Sequence, residues 1–349
     1  MTTHVVGLDI GSRSLRAVEV SDPAGPNATV HRVHEIALPE GAVRGGTVVD
    51  RAVVTRTLST LWSEAGFSTR SVVIAAGHSG VLARDLTVPR APLAVIRESL
   101  PFHVQDLLPV PVGEALLDFY PVRESGTATA PTVDGLLIAA VKEAVLANVE
   151  AVEGAGLTII GVDVAAFALA RVFAYRPRID GTVAIIDIGA TATQVVVATD
   201  GVPSFVRIID RGGRAVTDAI ALRLEVSDAQ AESTKLEVSA LGGESLPAVA
   251  AEALEVIAEE AADLLDAIRS TLSYVANLRP GEPVRALILS GGGARLGGFA
   301  SELAGLTRVH LSGGDAFASV AVDPKNGAAV HGARESAAVA LGLALGAVA

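Results

Sequence analysis

Cysteine is absent from the 349 residues, which excludes disulfides and thiolate-bound metal and agrees with a reducing compartment. Long apolar runs are missing as well. Half of the residues are hydrophobic, yet no run reaches the roughly 18 uninterrupted apolar residues of a spanning helix. The apolar tail, 337–349, is too short and is broken by glycine. The opening Met1-Thr2-Thr3-His4 has no basic region or cleavage site of a signal peptide and leads straight into a strand pattern, so the expected location is cytoplasmic. Charge is scarce, at 19% of residues, and unbalanced, with a formal net charge of −12, which argues against nucleic acid as the ligand. The seven histidines fall in no His-Glu-x-x-His or comparable spacing, so a protein-built metal cluster is not expected. There is no P-loop, and Gly77-His78-Ser79-Gly80 continues into Val81 where a nucleophile elbow needs its last glycine.

One pattern that is present occurs twice. Val5-Val6-Gly7-Leu8-Asp9-Ile10-Gly11-Ser12-Arg13-Ser14 and Val183-Ala184-Ile185-Ile186-Asp187-Ile188-Gly189-Ala190-Thr191-Ala192-Thr193 both run from apolar strand formers into Asp-x-Gly and small hydroxyl residues. Glycine lets the strand turn back, the amides and hydroxyls that follow hydrogen-bond phosphate oxygens, and a carboxylate holds the water shell of Mg²⁺. Two such hairpins facing each other would clamp a polyphosphate, with Asp9 and Asp187 as magnesium ligands through water. Near the end, a strand over 286–289 runs into Ser290-Gly291-Gly292-Gly293-Ala294-Arg295 and then a helix. Bare glycines admit a base or phosphate against the backbone, and a helix N-terminus favours negative charge. The dinucleotide fingerprint is excluded, because Leu296 stands where its third glycine belongs. Each element alone also suits a plain turn; the conjunction does not.

The remaining pattern is α/β. Strands are expected over 15–20, 30–36 and 71–76, with a helix capped by Asp50 and closed by Gly66. The texture changes near Val81: a strand over 82–88, a helix over 92–105, the segment Leu107-Leu108-Pro109-Val110-Pro111-Val112, and a strand over 115–122. A polar stretch over 124–132 reads as a hairpin tip or mobile loop, followed by a strand over 136–141 and a helix over 142–153. A strand over 157–162 and a helix over 164–173 come next. Strands over 182–188, 193–199 and 202–210 then repeat the opening order, Asp187 following Asp9 by 178 residues, as internal duplication requires. The stretch 213–278 is mainly helical, with an apolar stripe of Leu254, Ile257, Ala261, Leu264, Ile268 and Leu272, and a last apolar helix covers 335–347. Trp62 reads as core and His103 as a surface or interface residue rather than a catalytic base.

This order resembles the actin-like ATPase superfamily, which includes sugar kinases, heat-shock chaperones of the seventy-kilodalton class and bacterial cytoskeletal proteins. The resemblance implies a two-lobed α/β fold of duplicated ribonuclease H-like halves that binds ATP and Mg²⁺ between the lobes. On it, Asp9, Gly11, Ser12, Arg13, Ser14 and Arg16 belong to the first phosphate loop. Asp187, Gly189, Ala190, Thr191 and Thr193 belong to the second, and Gly291, Gly292, Gly293 and Arg295 to the adenosine loop. Glu232 and Lys235 are similar to the family's Glu-x-x-Lys segment near the adenosine, although a solvated i,i+3 ion pair has the same spacing. The helices from Val164 and from Glu335 correspond to the two connecting helices.

Three further segments, 7–19, 107–112 with Leu117-Asp118-Phe119-Tyr120, and 161–171, are similar to the PilM family of actin-like proteins of type IV pilus assembly. The likeness covers nearly the whole chain, including an inserted subdomain shared with the division protein FtsA. It implies lobe 1 over 1–81 with 157–178 and 330–349, the insert over 82–156, the lobe 2 core over 179–212 with 282–329, and a helical subdomain over 213–281. It also implies a scaffold that binds the cytoplasmic N-terminal peptide of a PilN-like membrane protein and lies at the inner membrane through that partner. Pilus motor ATPases and self-association are further partners it suggests. Two departures stand out. Arg16 replaces a common lysine, which keeps charge but changes geometry. Ala165 and Ala166 stand where hydrolytic relatives place Glu or Gln to orient water, so binding without fast turnover is expected. Asp163 is the remaining catalytic candidate, with capping of the helix as its alternative role. The rival readings are an active ATPase or small-molecule kinase of the same fold, whose acceptor site has no identifiable catalytic Asp here, and an FtsA-like protein, whose C-terminal membrane helix has no counterpart in Leu345-Gly346-Ala347-Val348-Ala349.

Overall fold

In β1 (His4–Ile10), Val6, Leu8 and Ile10 enter one buried cluster and Val5 another, so the strand is covered on both faces, as an uninterrupted apolar run demands. β2 (Ser14–Ser21) and β3 (Thr29–Ala37) continue antiparallel, and β4 (Val43–Arg44) and β5 (Thr47–Val48) form a small hairpin. α1 (Arg51–Ala65) starts where the Asp50 side chain accepts from the Val53 amide and stops at left-handed Gly66. It leads into β6 (Ser71–Ala75), which lies parallel to β1. The computed structural model describes residues 3–241 and 248–347; 1–2, 242–247 and 348–349, which the lobe and helix expectations include, lie outside the described residues.

An insertion follows, made of β7 (Val81–Pro89), α2 (Leu93–His103), β8 (Ala115–Thr127) and β9 (Ala130–Val141). Its sheet has the order β7-β9-β8, with α2 laid on it through Ile96 and Leu100, joined by Val104 just past its end, against Phe119 and Leu137. Of the two readings of the polar 124–132 stretch, the hairpin tip is the one found: β8 and β9 turn at 128–129 and stay paired on either side. Ser125 pairs with Thr132 and Thr127 with Ala130, and the Ser125 hydroxyl bonds Thr132 Oγ1 at 2.8 Å and Asp134 at 2.9 Å. Its hydroxyls serve cross-strand pairs on an exposed ribbon, which mimics turn composition. α3 (Lys142–Gly154) then leaves the insert. Ala151 and Val152 join the cluster of Leu58, Leu61 and Trp62, and Thr55 Oγ1 donates to the Ala151 carbonyl at 2.9 Å, so α3 packs with lobe 1 although the sequence boundary places it in the insert.

β10 (Thr158–Asp163) returns to the first sheet, and α4 (Ala165–Ala170) passes into a π-helical turn, Arg171–Tyr175. The second lobe repeats the plan with β11 (Thr182–Ile188), β12 (Thr193–Thr199), β13 (Val202–Ile209), the helices α5 (Gly213–Leu224), α6 (Asp228–Leu241) and α7 (Ala248–Leu278), then β14 (Val284–Ser290), α8 (Phe299–Thr307) and β15 (His310–Gly313). β16 (Ala321–Val322), α9 (Gly327–Gly332) and α10 (Ala338–Leu345) return to lobe 1; α10 is shorter than the expected 335–347. The sheet orders β10-β6-β1-β2-β3 and β15-β14-β11-β12-β13 match position by position. The helices cross between halves. α4 shares a core with Val183, Ile185, Val196 and Val206 of lobe 2, and α10 with Val5, Val18, Val20 and Val73 of lobe 1. A Cβ on Gly7 would lie 1.9 Å from the Ala340 carbonyl oxygen, and one on Gly342 2.2 Å from that of Ala168, so bare glycine is what lets α10 seat.

Candidate functional site

Strand alternation aims the two carboxylates. Val5 and Gly7 on β1, and Val183 and Ile185 on β11, face the core shared by the lobes. Asp9 and Asp187, two residues further on, keep that face at the strand ends and line a cleft of about 970 Å³ between the lobes. The loops beyond them match. The Gly11 amide donates to the Ser14 carbonyl at 3.1 Å and the Gly189 amide to the Ala192 carbonyl at 2.9 Å. Ser12 and Thr191, at the two tips, share a hydrogen bond of 2.7 Å across the cleft.

The charges inside are balanced narrowly. Arg16 reaches Asp9 at 3.6 Å and Glu35 at 2.9 Å. Burial raises the Asp9 carboxyl above its ordinary range, with Arg16 opposing. Burial and the Asp9 charge push Asp187 up to about 6, against a Ser290 hydrogen bond and Arg16. Two carboxylates in that state gain from a cation. Among the described residues no group of three or more ligands could hold a metal unaided, but Mg²⁺ is ordinarily bound through one or two carboxylates, phosphates and water, and the Asp9–Asp187 pair fits that role.

The opposite wall belongs to lobe 2. Lys235 is buried, its Nζ donating to Glu232 at 2.8 Å, to Thr217 Oγ1 at 2.8 Å and to the Gly213 carbonyl at 3.1 Å, so the pair is not a solvated surface couple. Burial alone would raise the Glu232 carboxyl; hydrogen bonds from Lys235 and Thr217, with the Lys235 and Arg13 charges, hold it below the usual range. Gly291, Gly292 and Gly293 close the site. A Cβ on Gly291 would sit 2.4 Å from the Ile188 carbonyl oxygen and one on Gly293 2.3 Å from Ile188 Cγ2, whereas at Gly292 nothing lies within 4 Å. The first and third glycines let the loop lie on β11; the second opens to the cleft.

The cleft gathers Asp9, Gly11, Ser12, Arg13, Ser14, Arg16, Asp187, Gly189, Ala190, Thr191, Glu232, Lys235, Gly291, Gly292, Gly293 and Arg295. Two expected residues are elsewhere. Thr193 is fully buried and bonds the Arg211 carbonyl at 2.8 Å; it pairs with Ile188, one step out of phase with Asp187, and so faces the helical core. Asp163 does not line the cleft: it pairs with Arg171 at 3.0 Å and accepts from the Val164 amide at 2.7 Å. Ala165 lines the cleft while Ala166 is buried. Sequence reading missed Glu35, His78, Arg214 and Glu335, all on the wall. Arg214 pairs with Glu40 of the other lobe at 2.8 Å, and Glu335 pairs with Arg295.

The profile of the family described as type IV pilus assembly protein PilM matches residues 7–348. A solved structure described as a PilM-PilN type IV pilus biogenesis complex superposes with a TM-score of 0.85 at 29% identity, over 99% of this chain and 98% of that one. The ethanolamine utilization protein EutJ of Carboxydothermus hydrogenoformans gives 0.54 at 16% identity, over 98% and 89%. MreB5 of Spiroplasma citri, solved with ADP, gives 0.51 at 12% identity, over 89% and 91%. The fold is actin-like.

Proposed function

The chain belongs to the family of type IV pilus assembly protein PilM, and from that premise we propose that it is an ATP-binding scaffold that holds the N-terminal cytoplasmic peptide of a PilN-like membrane protein. The observation that carries this reading is the full-length likeness to a structure described as a PilM-PilN complex, joined to a cleft built from both Asp-x-Gly hairpins and the triple-glycine loop. ATP lies with its phosphates between the hairpins and its adenosine beside Glu232, Lys235 and Gly292; Mg²⁺ is held by Asp9 and Asp187 through water. MreB5 solved with ADP supports nucleotide binding by the fold.

Turnover is slow, because Ala165 offers no group to orient water. Among the described residues no helix is long and apolar enough to cross a membrane, and the protein is held at the cytoplasmic face of the inner membrane by its partner. The peptide lies extended between lobe 1 and the insert, where Pro109 and Pro111 are exposed and outside any strand, as residues without an N–H must be on a rim. Fluorescence anisotropy with the labelled N-terminal peptide of the membrane protein encoded beside this one tests the reading. Binding at micromolar affinity or tighter, about −8 kcal/mol, is expected. No binding with or without ATP refutes it.

A further inference from the structure

His78 sits in a loop to which neither the motifs nor the family likeness gives a task. The loop leaves β6, which lies between β1 and β10, with Ala75 beside Asp163 in register. It therefore emerges between the hairpin that carries Asp9 and the helix start that carries Ala165, and His78 lines the cleft with both.

The support behind it is close-fitted. Gly46 has φ of +75°, and a Cβ there would lie 2.9 Å from Gly77 Cα and 3.0 Å from His78 Nδ1; a Cβ on Gly77 would lie 2.6 Å from the Gly46 carbonyl oxygen. The Ser79 amide donates to the Gly45 carbonyl at 3.0 Å. The buried Asn148 of α3 fixes the turn from behind, its Nδ2 donating to the Gly46 carbonyl at 2.9 Å and its Oδ1 accepting from the Val48 amide at 2.8 Å. The imidazole thus lies with its Nδ1 edge over Gly46, and it makes no hydrogen bond to the described residues. Burial lowers its pKa, with Asp210 of the facing lobe opposing, which favours the neutral ring.

We propose that His78 reads the terminal phosphate of the bound nucleotide, its unpaired Nε2–H donating to the γ-phosphoryl group beside the polar gap left by Ala165. The inference rests on the nucleotide-binding reading above. A neutral donor held on a rigid turn distinguishes three phosphates from two without adding a charge to a cleft that already contains Arg13 and Arg16.

Calorimetry with Mg-ATP and with Mg-ADP on wild type, His78→Ala and His78→Gln tests it. His78→Ala is expected to weaken ATP about tenfold or more while ADP changes by less than about twofold; His78→Gln, which keeps a donor, retains part of the preference for ATP. Gly46→Ala, which displaces the ring without removing it, shifts the ratio the same way. Equal weakening of both nucleotides in His78→Ala indicates a structural residue and overturns the inference, as does an unchanged ratio. Wild-type protein that binds neither nucleotide removes the underlying reading itself, an outcome separate from binding of both with no role for His78.

Discussion

At the level of single residues, the three glycines of the 291–293 turn differ in what they permit. Gly292→Asp adds a side chain into open space, with no neighbour within 4 Å of the new Cβ, so the fold should be unaffected while ATP binding is lost. Calorimetry with Mg-ATP, alongside an unchanged melting temperature, checks this. Gly293→Ala presses on Ile188 and should cost stability instead. Asp187 yields a pH prediction. Its carboxyl titrates near 6 in the folded protein against 3.8 when unperturbed, so the folded state binds the proton more tightly and loses stability as pH rises from about 4 to 6. Above that the penalty is complete. Asp187→Asn should therefore raise nucleotide-free stability by on the order of 2 kcal/mol at pH 8 and by almost nothing near pH 4, measured by urea unfolding, while Mg-ATP affinity falls.

At the level of elements, α4 and α10 carry the next two predictions. Ala165→Glu places a carboxylate on the cleft wall at the start of α4, where Ala166 cannot because it is buried. Phosphate release should be near background in wild type and measurable in the variant; a fast wild-type rate would show that another group orients water. Gly342→Ala forces α10 off the Ala168 carbonyl, 2.2 Å from the added Cβ, and should destabilise by about 2 kcal/mol or more in thermal or urea unfolding. Elements defined by local chemistry were readable in advance: the Asp50 cap, the Gly66 stop and both Asp-x-Gly hairpins depend on neighbours in sequence. Thr193 misled because nearness to the second turn was read without phase. It is the counterpart, 178 residues on, of Leu15, which is buried in lobe 1, and one step along a strand reverses the face. His78, Arg214 and Glu335 carry no local signal, since only packing of distant segments brings them to the cleft.

At the level of the whole molecule, the insert touches both lobes. Arg279 of lobe 2 lies 3.5 Å from Asp85 and Glu282 lies 3.7 Å from Arg123, while Tyr120 stacks on Phe167 of α4 with ring centroids 4.7 Å apart. Contacts between lobes at Ser12–Thr191 and Arg214–Glu40 border the same cleft. A nucleotide that displaces them changes the angle between lobes and with it the seat of the insert. Peptide affinity should therefore differ roughly fivefold or more with and without Mg-ATP, and ATP affinity should change by the same factor when peptide is present. Anisotropy and calorimetry on the same sample give both sides of that cycle.

The exchange of helices also sets a timetable. The face of β1 that α10 covers is made by residues 4–10, while Ala338 to Leu345 follow more than 300 residues later. At ordinary rates of synthesis that apolar face waits roughly 20 to 60 s on the ribosome for its cover. Until then the first-lobe sheet is covered on one face only, by α1 and α3, and a chain that stalls before residue 338 leaves its other face open, whereas α4, which packs on lobe 2, is already made.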